Sequence, residues 1–480
     1  MFKYVYNNYF YMESSVNWKI AKDVALIDSS MNKLFYRKLM VLSGLGYTFD
    51  ALSTAIIAFI LPIITTPFKL TGLESGVLGA SALIGYLVGA TFWGLVGDRF
   101  GRKNSIQYTL IIYTIFTLIS AFSINFTQLT LLRIVAGFGV GGESAVIAPY
   151  FSEFIPRSIR GRYTGYVTGF FSFGFIAAAI LGYFLVPIPV IGWRLATIVA
   201  ALPVFYVIVF RFKLPESPRW LRLKGKDAEA DAVISHIHGN LELPKTIDGQ
   251  DSEKYVENLY KTLEKSQDKK AKKESSFRQI WSKKYVRRTS MLWVLWFTTG
   301  FAYYGFFTFA PTLLVDLGYS IVTSLGVSLL SYIMQTPGYY VAAFISEKIG
   351  RKTLLAFFML AGAVVAIALA YSRNFILIVL FYALMSFFLN GLFGGVYIYT
   401  PEQYPTSFRT SGMGYASSFA RVGAIISPIL FGALVLSIHF SGVFAMSFVI
   451  MLIGALAVII LGKETTSKDL ETTSAPEASE

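Results

Sequence analysis

The 480-residue sequence predicts an all-α polytopic membrane protein, with twelve transmembrane helices arranged as two pseudo-symmetric six-helix bundles. Three observations carry that expectation. Hydrophobic residues make up 55% of the chain and charged residues 15%, with a mean hydropathy of +0.57; soluble domains carry about a quarter charged residues. The apolar residues fall in long blocks, each near the ~20 residues that cross ~30 Å of hydrocarbon. Landmarks of the first half also recur in the second at a constant offset, as Arg102 does at Arg351.

The blocks run over 36–66, 72–97, 104–123, 127–153, 160–186 and 190–212 in the first half. In the second they run over 286–316, 321–347, 353–371, 374–401, 408–437 and 440–462. Loops on the N-terminal side carry Asp98, Arg99, Arg102, Lys103, Arg157, Arg160, Arg162, Lys348, Arg351, Lys352 and Arg409, while the opposite loops hold little beyond Lys69, Arg194 and Arg373. The positive-inside rule then puts both termini in the cytoplasm of a multi-pass cell-membrane protein.

The net charge of +14 follows from this topology and a basic central loop, so no nucleic-acid partner is implied. The absence of cysteine excludes disulfides, thiolate metal sites and catalytic thiols. His236, His238 and His439 lie in loops or near a span end, and no metal site, cofactor motif, phosphate-binding loop or catalytic triad is present, so the chain is not read as an enzyme. Asn125-Phe126-Thr127 is a glycosylation sequon whose use the sequence leaves open.

The repeat is extensive. GLVGDRFGRK (94–103) aligns with AFISEKIGRK (343–352), and SEFIPRSIR (152–160) with PEQYPTSFR (401–409). Glu153 thereby matches Glu402, Pro156 matches Pro405, and Pro62 matches Pro311. The chain divides into a cytoplasmic N-terminal tail (1–35), a six-helix bundle (36–212) and a partly helical cytoplasmic loop (213–285). A second bundle (286–462) and a disordered tail (463–480) follow. Parallel six-helix repeats with a site at their interface are a transporter architecture, for which a monomer suffices.

The charges at the N-terminal-side ends read as a cytoplasmic gate: Asp98, Arg99, Arg102, Glu153 and Arg160, repeated as Glu347, Arg351, Glu402 and Arg409. With the run PESPRWL (215–221), these motifs resemble the major facilitator superfamily over almost the whole chain. LLRIVAGFGVGGESAVIAPYFSEFIPRSIRGR (131–162) is similar to the branch that holds sugar porters, organic ion transporters, nicotinate transporters and synaptic-vesicle glycoproteins. Its glycines at 137, 139, 141 and 142 follow no strand and lie within a span, so they read as close helix packing rather than a dinucleotide fingerprint.

Charges at membrane depth are functional by default. Asp50 lies about 14 residues into its span, ~20 Å from the cytoplasmic end. Arg133 lies about six residues into the fourth span, ~9 Å from the external end, so the two depths coincide in a ~30 Å slab. Asp50 beside Arg133 stays ionised, and losing that contact in a drier state favours protonation. This is a proton-coupling pair, or else a static strut between two helices. A first-helix aspartate and a fourth-helix arginine in proton-coupled sugar porters resemble it.

Glu143 and Arg421 lie nearer mid-depth. The stretch RTSGMGYASSFARVGAIISPI (409–429) resembles the eleventh helix of organic anion and nicotinate transporters, and the resemblance implies that Arg421 meets an anionic substrate; the alternative is that it neutralises Glu143. Tyr303, Tyr304 and Phe307 of the seventh span, with Tyr397 and Tyr399 of the tenth, are candidates for an aromatic cavity suited to a planar solute. The runs FTTGFAYYG and GLFGGVYIYTPE depart from the sugar-porter pattern at both places. The sequence thus points to proton-coupled symport of an organic anion such as an aromatic or pyridine carboxylate. A sugar or organic-cation carrier, proton-coupled or facilitative, and a non-transporting membrane receptor are the alternatives.

Overall fold

In hydrocarbon every backbone N–H and C=O must be satisfied within its own segment, which makes helices of the apolar blocks. The computed structural model describes residues 2–202, 205, 209, 213–271, 276–404 and 409–465. Its elements in chain order are α1 (Phe2–Ser29), α2 (Lys33–Ile64), α3 (Gly72–Phe100), α4 (Arg102–Ser120), α5 (Phe126–Ser152), α6 (Arg157–Leu185) and α7 (Gly192–Ala200). The connecting region holds α8 (Pro218–Leu223), α9 (Asp227–His238), the strand pair β1 (Thr246–Ile247) and β2 (Gln250–Asp251), α10 (Ser252–Ala271) and α11 (Ser276–Ile280). The second half comprises α12 (Val286–Asp316), α13 (Ile321–Ile349), α14 (Arg351–Tyr371), α15 (Phe375–Glu402) and α16 (Arg409–Leu461).

The expected spans map onto α2–α7 and α12–α16; most of the sixth beyond residue 202 lies outside the described residues, as does Pro405. Although α16 is helical throughout, it supplies two crossings. Gly423 packs against the backbone of Phe297 and Phe301, and Gly454 against Thr298 and Met359. A straight helix would hold positions 423 and 454 some ~46 Å apart, so the chain doubles back between them. Asn125 Oδ1 accepts from the N–H of Gln128 at 2.9 Å, so the asparagine of the sequon serves as the cap of α5.

Eight described segments are long and apolar enough to cross a bilayer by composition. The remaining long helices are more polar because their hydroxyls and amides turn inward. Ser105, Gln107, Thr109, Thr114 and Thr117 are buried on α4, Thr298, Thr299 and Thr308 on α12, and Ser324, Ser328, Ser331 and Gln335 on α13. The glycines of α5 act as expected: a Cβ at Gly137 or Gly141 would run into the backbone of α3 at Ala82 or Tyr86.

Two stretches expected to be tails are ordered. The helix α1 packs Ala21, Ala25, Leu26 and Ile27 against Val256, Leu259, Ile247 and Ile234 of the connecting region. Arg222 fixes it there, donating to both Asp23 oxygens at 2.8 and 2.9 Å and to Asp231 at 2.5 Å. Burial pushes the Asp23 carboxyl up despite this partner, and the hydrogen bond to Asp23 raises Arg222 further. Residues 463–465 are also ordered; residues 466–480 of the expected disordered tail lie outside the described residues.

The halves meet tightly at the end far from the termini and part at the other. On the far side Gly72 of α3 lies against the backbone of Gly432 on α16, and Gly76 against Pro428 and Ile429. Phe59 of α2 packs on Tyr332 of α13 at 5.4 Å. On the termini side, Cβ atoms at Gly165 of α6 and at its repeat mate Gly414 of α16 would meet nothing within 4 Å. The neighbouring Tyr166 and Tyr415 are 53% and 38% exposed. The halves are therefore sealed against each other at the far end, with open space beside Gly165 and Gly414 at the termini end.

The chain has no cysteine, so a single introduced thiol reports alone. Gly165→Cys and Gly414→Cys should react readily with a membrane-impermeant maleimide added from the termini side, and the buried Ser81→Cys should not. Equal labelling of all three positions would contradict the arrangement.

Candidate functional site

At the termini-side ends the two halves carry the same apparatus. Gly101 and Gly350 adopt φ of +98° and +94°, backbone that glycine alone enters cheaply, and release α4 and α14 with uncapped N–H groups. A carboxylate receives them in each half. Glu216 accepts from Arg102 N at 3.0 Å and Lys103 N at 3.1 Å; Glu464 accepts from Arg351 N at 2.8 Å and Lys352 N at 3.1 Å. Burial pushes the Glu216 carboxyl up, opposed by these N–H bonds. Behind each cap is an ion pair, Arg102–Glu153 at 3.4 Å and Arg351–Glu402 at 3.6 Å. Ser217 and Thr465 donate to the same two glutamates. Arg160 and Arg409 instead turn back onto the carbonyls of Ile155 and Tyr404.

These bonds lie within each half. Arg99 and Glu347 sit exposed at helix ends, and Asp98 falls in the last turns of α3. Arg160 and Arg409 thus bond helix-end carbonyls in this structure, and Glu347 shows no ion pair among the described residues. Tyr399 also changes place. It was expected to line the cavity, but its hydroxyl donates to Lys463 O at 2.7 Å, as that of its repeat mate Tyr150 does to Pro215 O at 2.7 Å. It belongs to the scaffold of the termini-side helix ends.

The other aromatic candidates converge. Tyr303 donates to Gln335 Oε1 at 3.1 Å, with Phe307 and Tyr304 at ring separations of 4.5 and 5.2 Å. Phe175 of α6 approaches Tyr303 and Tyr332 from the opposite half. These rings, with Thr54, Gly79, Leu83 and Thr308, line a small cavity just beneath the far-side seal. Tyr397 stacks edge-on to Trp296 at 5.0 Å and is 39% exposed.

Arg421 reaches into this space from α16. Its guanidinium donates to Tyr304 Oη at 3.2 Å and Tyr86 Oη at 3.3 Å, and lies 4.4 Å from the Tyr86 ring centre. Among the described residues it forms no ion pair, so it does not neutralise Glu143. Tyr86 was not anticipated; its position on α3, one helix removed from the expected aromatic spans, gave no sequence signal.

Asp50 and Glu143 are both wholly buried. Both face the α2–α5 interface: Ser144, next to Glu143, donates from Oγ to Asp50 Oδ2 at 2.9 Å, and Glu143 Oε1 lies against Gly46, one turn before Asp50 on α2. Arg133 is 1% exposed and donates to the Ser53 carbonyl, one turn along α2 from Asp50; its Nε and Nη1 have no partner among the described residues. The depth match between Asp50 and Arg133 therefore yields neighbours on α2 rather than a formed ion pair in this state.

Two repeated helical halves with charges buried between apolar spans are the architecture of a transporter of the major facilitator superfamily. Residues 29–475 match the family model described as "Sugar (and other) transporter", and the chain belongs to that family. It is 38% identical to the "Niacin transporter NiaP" of Acinetobacter baylyi, covering 91% of this chain and 96% of that one. It is 28% identical to "Organic cation/carnitine transporter 7" of Arabidopsis thaliana, over 95% and 96% of the two chains. In fold it resembles the inward-open xylose transporter XylE from E. coli, with a TM-score of 0.75, 20% identity and coverage of 91% and 99%. The protein is a multi-pass membrane transporter of a small organic solute.

Removing either helix-end cap should weaken its half. Glu216→Ala and Glu464→Ala are each expected to cost about 1 kcal/mol, the usual value of a helix cap, read as a lower thermal midpoint in detergent. An unchanged midpoint for Glu464→Ala would mean that residues 463–465 contribute nothing to the second bundle.

Proposed function

We propose that the chain is a proton-coupled symporter of an organic anion bearing a planar ring, with nicotinate (a pyridine carboxylate) as the leading substrate, in a cell membrane with both termini cytoplasmic. The observation that carries this reading is Arg421, a guanidinium at membrane depth whose contacts are tyrosine hydroxyls and a tyrosine face, with no counter-ion among the described residues. A charge so placed is costly until an anion arrives. A carboxylate relieves that cost with bidentate, charge-assisted bonds. The rings of Tyr303, Tyr304, Phe307 and Tyr397 suit the planar remainder of such a solute, and the niacin transporter relative points the same way.

On this reading the structure is the inward-open state. Proton entry from outside neutralises Asp50 and frees it from Arg133; the bundles then rock, and the external seal of α3 on α16 forms. Here Asp50 is turned to Ser144 and Glu143 while Arg133 holds the Ser53 carbonyl, as a separated pair requires. The paired gate apparatus closes the cytoplasmic side in the outward-facing state. A monomer performs the whole cycle.

Labelled nicotinate should accumulate in proteoliposomes only with an inward proton gradient. Asp50→Asn should abolish accumulation while counterflow exchange persists. Arg421→Ala removes a charged hydrogen-bond partner worth about 1.5–3 kcal/mol and should weaken nicotinate binding roughly 10- to 100-fold. Uptake of xylose or carnitine with none of nicotinate would overturn the anion assignment.

A further inference from the structure

We infer that Asp50 and Glu143 form a single two-carboxyl proton site, in which Glu143 carries and shares protons rather than contacting the substrate. The inference rests on the proton-coupled reading above and adds a second residue to it. Two carboxylates have no hydrogen-bond donor to share unless one is protonated, and like charges held close together disfavour full ionisation. Here both lie at 0% exposure on facing helices, with Glu143 Oε1 against Gly46, one turn from Asp50. Ser144 Oγ is the one hydrogen-bond donor to the pair among the described residues; Asp50 Oδ1 and both Glu143 oxygens have no other.

The surroundings hold the pair together and supply no cation. A Cβ at Gly46 would overlap Glu143 Oε1 and Ile147, so the glutamate is pressed against the α2 backbone. The titratable side chain beside the pair is Tyr47 of α2, which donates to the Ser144 carbonyl at 3.5 Å. α6 presents Phe171, stacked on Tyr47 at 4.5 Å. The nearby cations are committed elsewhere: Arg133 of α5 to the Ser53 carbonyl, Arg421 of α16 to Tyr304 and Tyr86. Tyr47 thus lies beside the acids and Tyr86 beside Arg421.

The transported proton is the second on this site. It arrives from outside, taking the pair from one negative charge to none, and leaves to the cytoplasm with the charge restored. The substrate carboxylate brings one negative charge to Arg421 in the same loading step, so the buried charge is the same in the loaded and empty carrier. One proton then accompanies each anion.

Infrared difference spectra taken on pH change test the pair without any substrate. In wild type, carboxyl signals from both residues should titrate together, and each of Asp50→Asn and Glu143→Gln should move the remaining carboxyl's midpoint by at least about one pH unit. Independent midpoints would overturn a shared site. In proteoliposomes Glu143→Gln should lower gradient-driven nicotinate accumulation at least ~10-fold, and Glu143→Asp, which keeps an acid, should recover part of it. A raised KM with gradient dependence intact would instead make Glu143 a substrate ligand and sink the proposal. Should wild type carry no nicotinate, the substrate reading falls while the infrared result still decides the carboxyl pair.

Discussion

A charged side chain at the middle of a membrane helix costs roughly 2.5–3.5 kcal/mol on insertion scales; Glu143 and Arg421 lie near that depth, and Asp50 and Arg133 are buried nearer one end. Everything else in the fold is arranged around making these groups tolerable. The glycines of α5 let it approach α3 closely enough to shut lipid out. The inward-turned hydroxyls of α4, α12 and α13 supply a polar interior in which a helix can carry a charge. Each buried ion then has a distinct solution. Arg133 takes a backbone carbonyl, the two acids lie at one interface with Ser144 donating to Asp50, and Arg421 takes two phenols and a ring face.

The fold was largely legible because hydrocarbon leaves few options: block length gives the spans, and the repeat from Arg102 to Arg351 gives the two halves. Residues 463–465 were missed for a specific reason. Lys463-Glu464-Thr465 does in the second half what Pro215-Glu216-Ser217 does in the first, but it is displaced by one residue from the spacing that relates Glu153 to Glu402. A fixed-offset comparison passes over it. The site was legible in its residue types and less so in its pairings. Depth along a straight helix predicted which charges share a layer, yet it carries no azimuth. It therefore matched Asp50 to Arg133, and Glu143 to Arg421, where the structure sets Asp50 and Glu143 at one interface. Tyr399 shows the same limit, sharing a helix with Tyr397 but facing the termini-side helix ends.

In the proposed cycle the repeated helix-end apparatus lets the two halves move against each other at small cost. The capping and ion-pair bonds of Glu216, Glu464, Glu153 and Glu402 close within a half, so parting the halves breaks none of them. What differs between states is the packing between halves. Here glycine-on-glycine contact of α3 with α16 seals one end, while open space surrounds Gly165 and Gly414 at the other. Close backbone packing is strong when registered and lost over a short displacement, which suits a two-state barrier better than a gradual one.

In the proposed cycle the charges tie the rocking motion to its cargo. Moving the bundles through a sealed intermediate removes water from the cavity, and an uncompensated charge is most expensive at that moment. Arg133 adds the same positive charge in every state and keeps the Ser53 carbonyl here; apart from it, an empty Arg421 and a singly charged acid pair sum to zero. With an anion on Arg421, balance returns only when the pair takes up a further proton. A carrier holding substrate without that proton, or the proton without substrate, has one charge too many to pass through the dry state. The coupling proposed for Asp50 and Glu143 thus requires no direct contact with the substrate. It follows from placing a cation for the anion and an acid pair for the proton within one desolvated space, with Tyr47 beside the acids and Tyr86 beside Arg421.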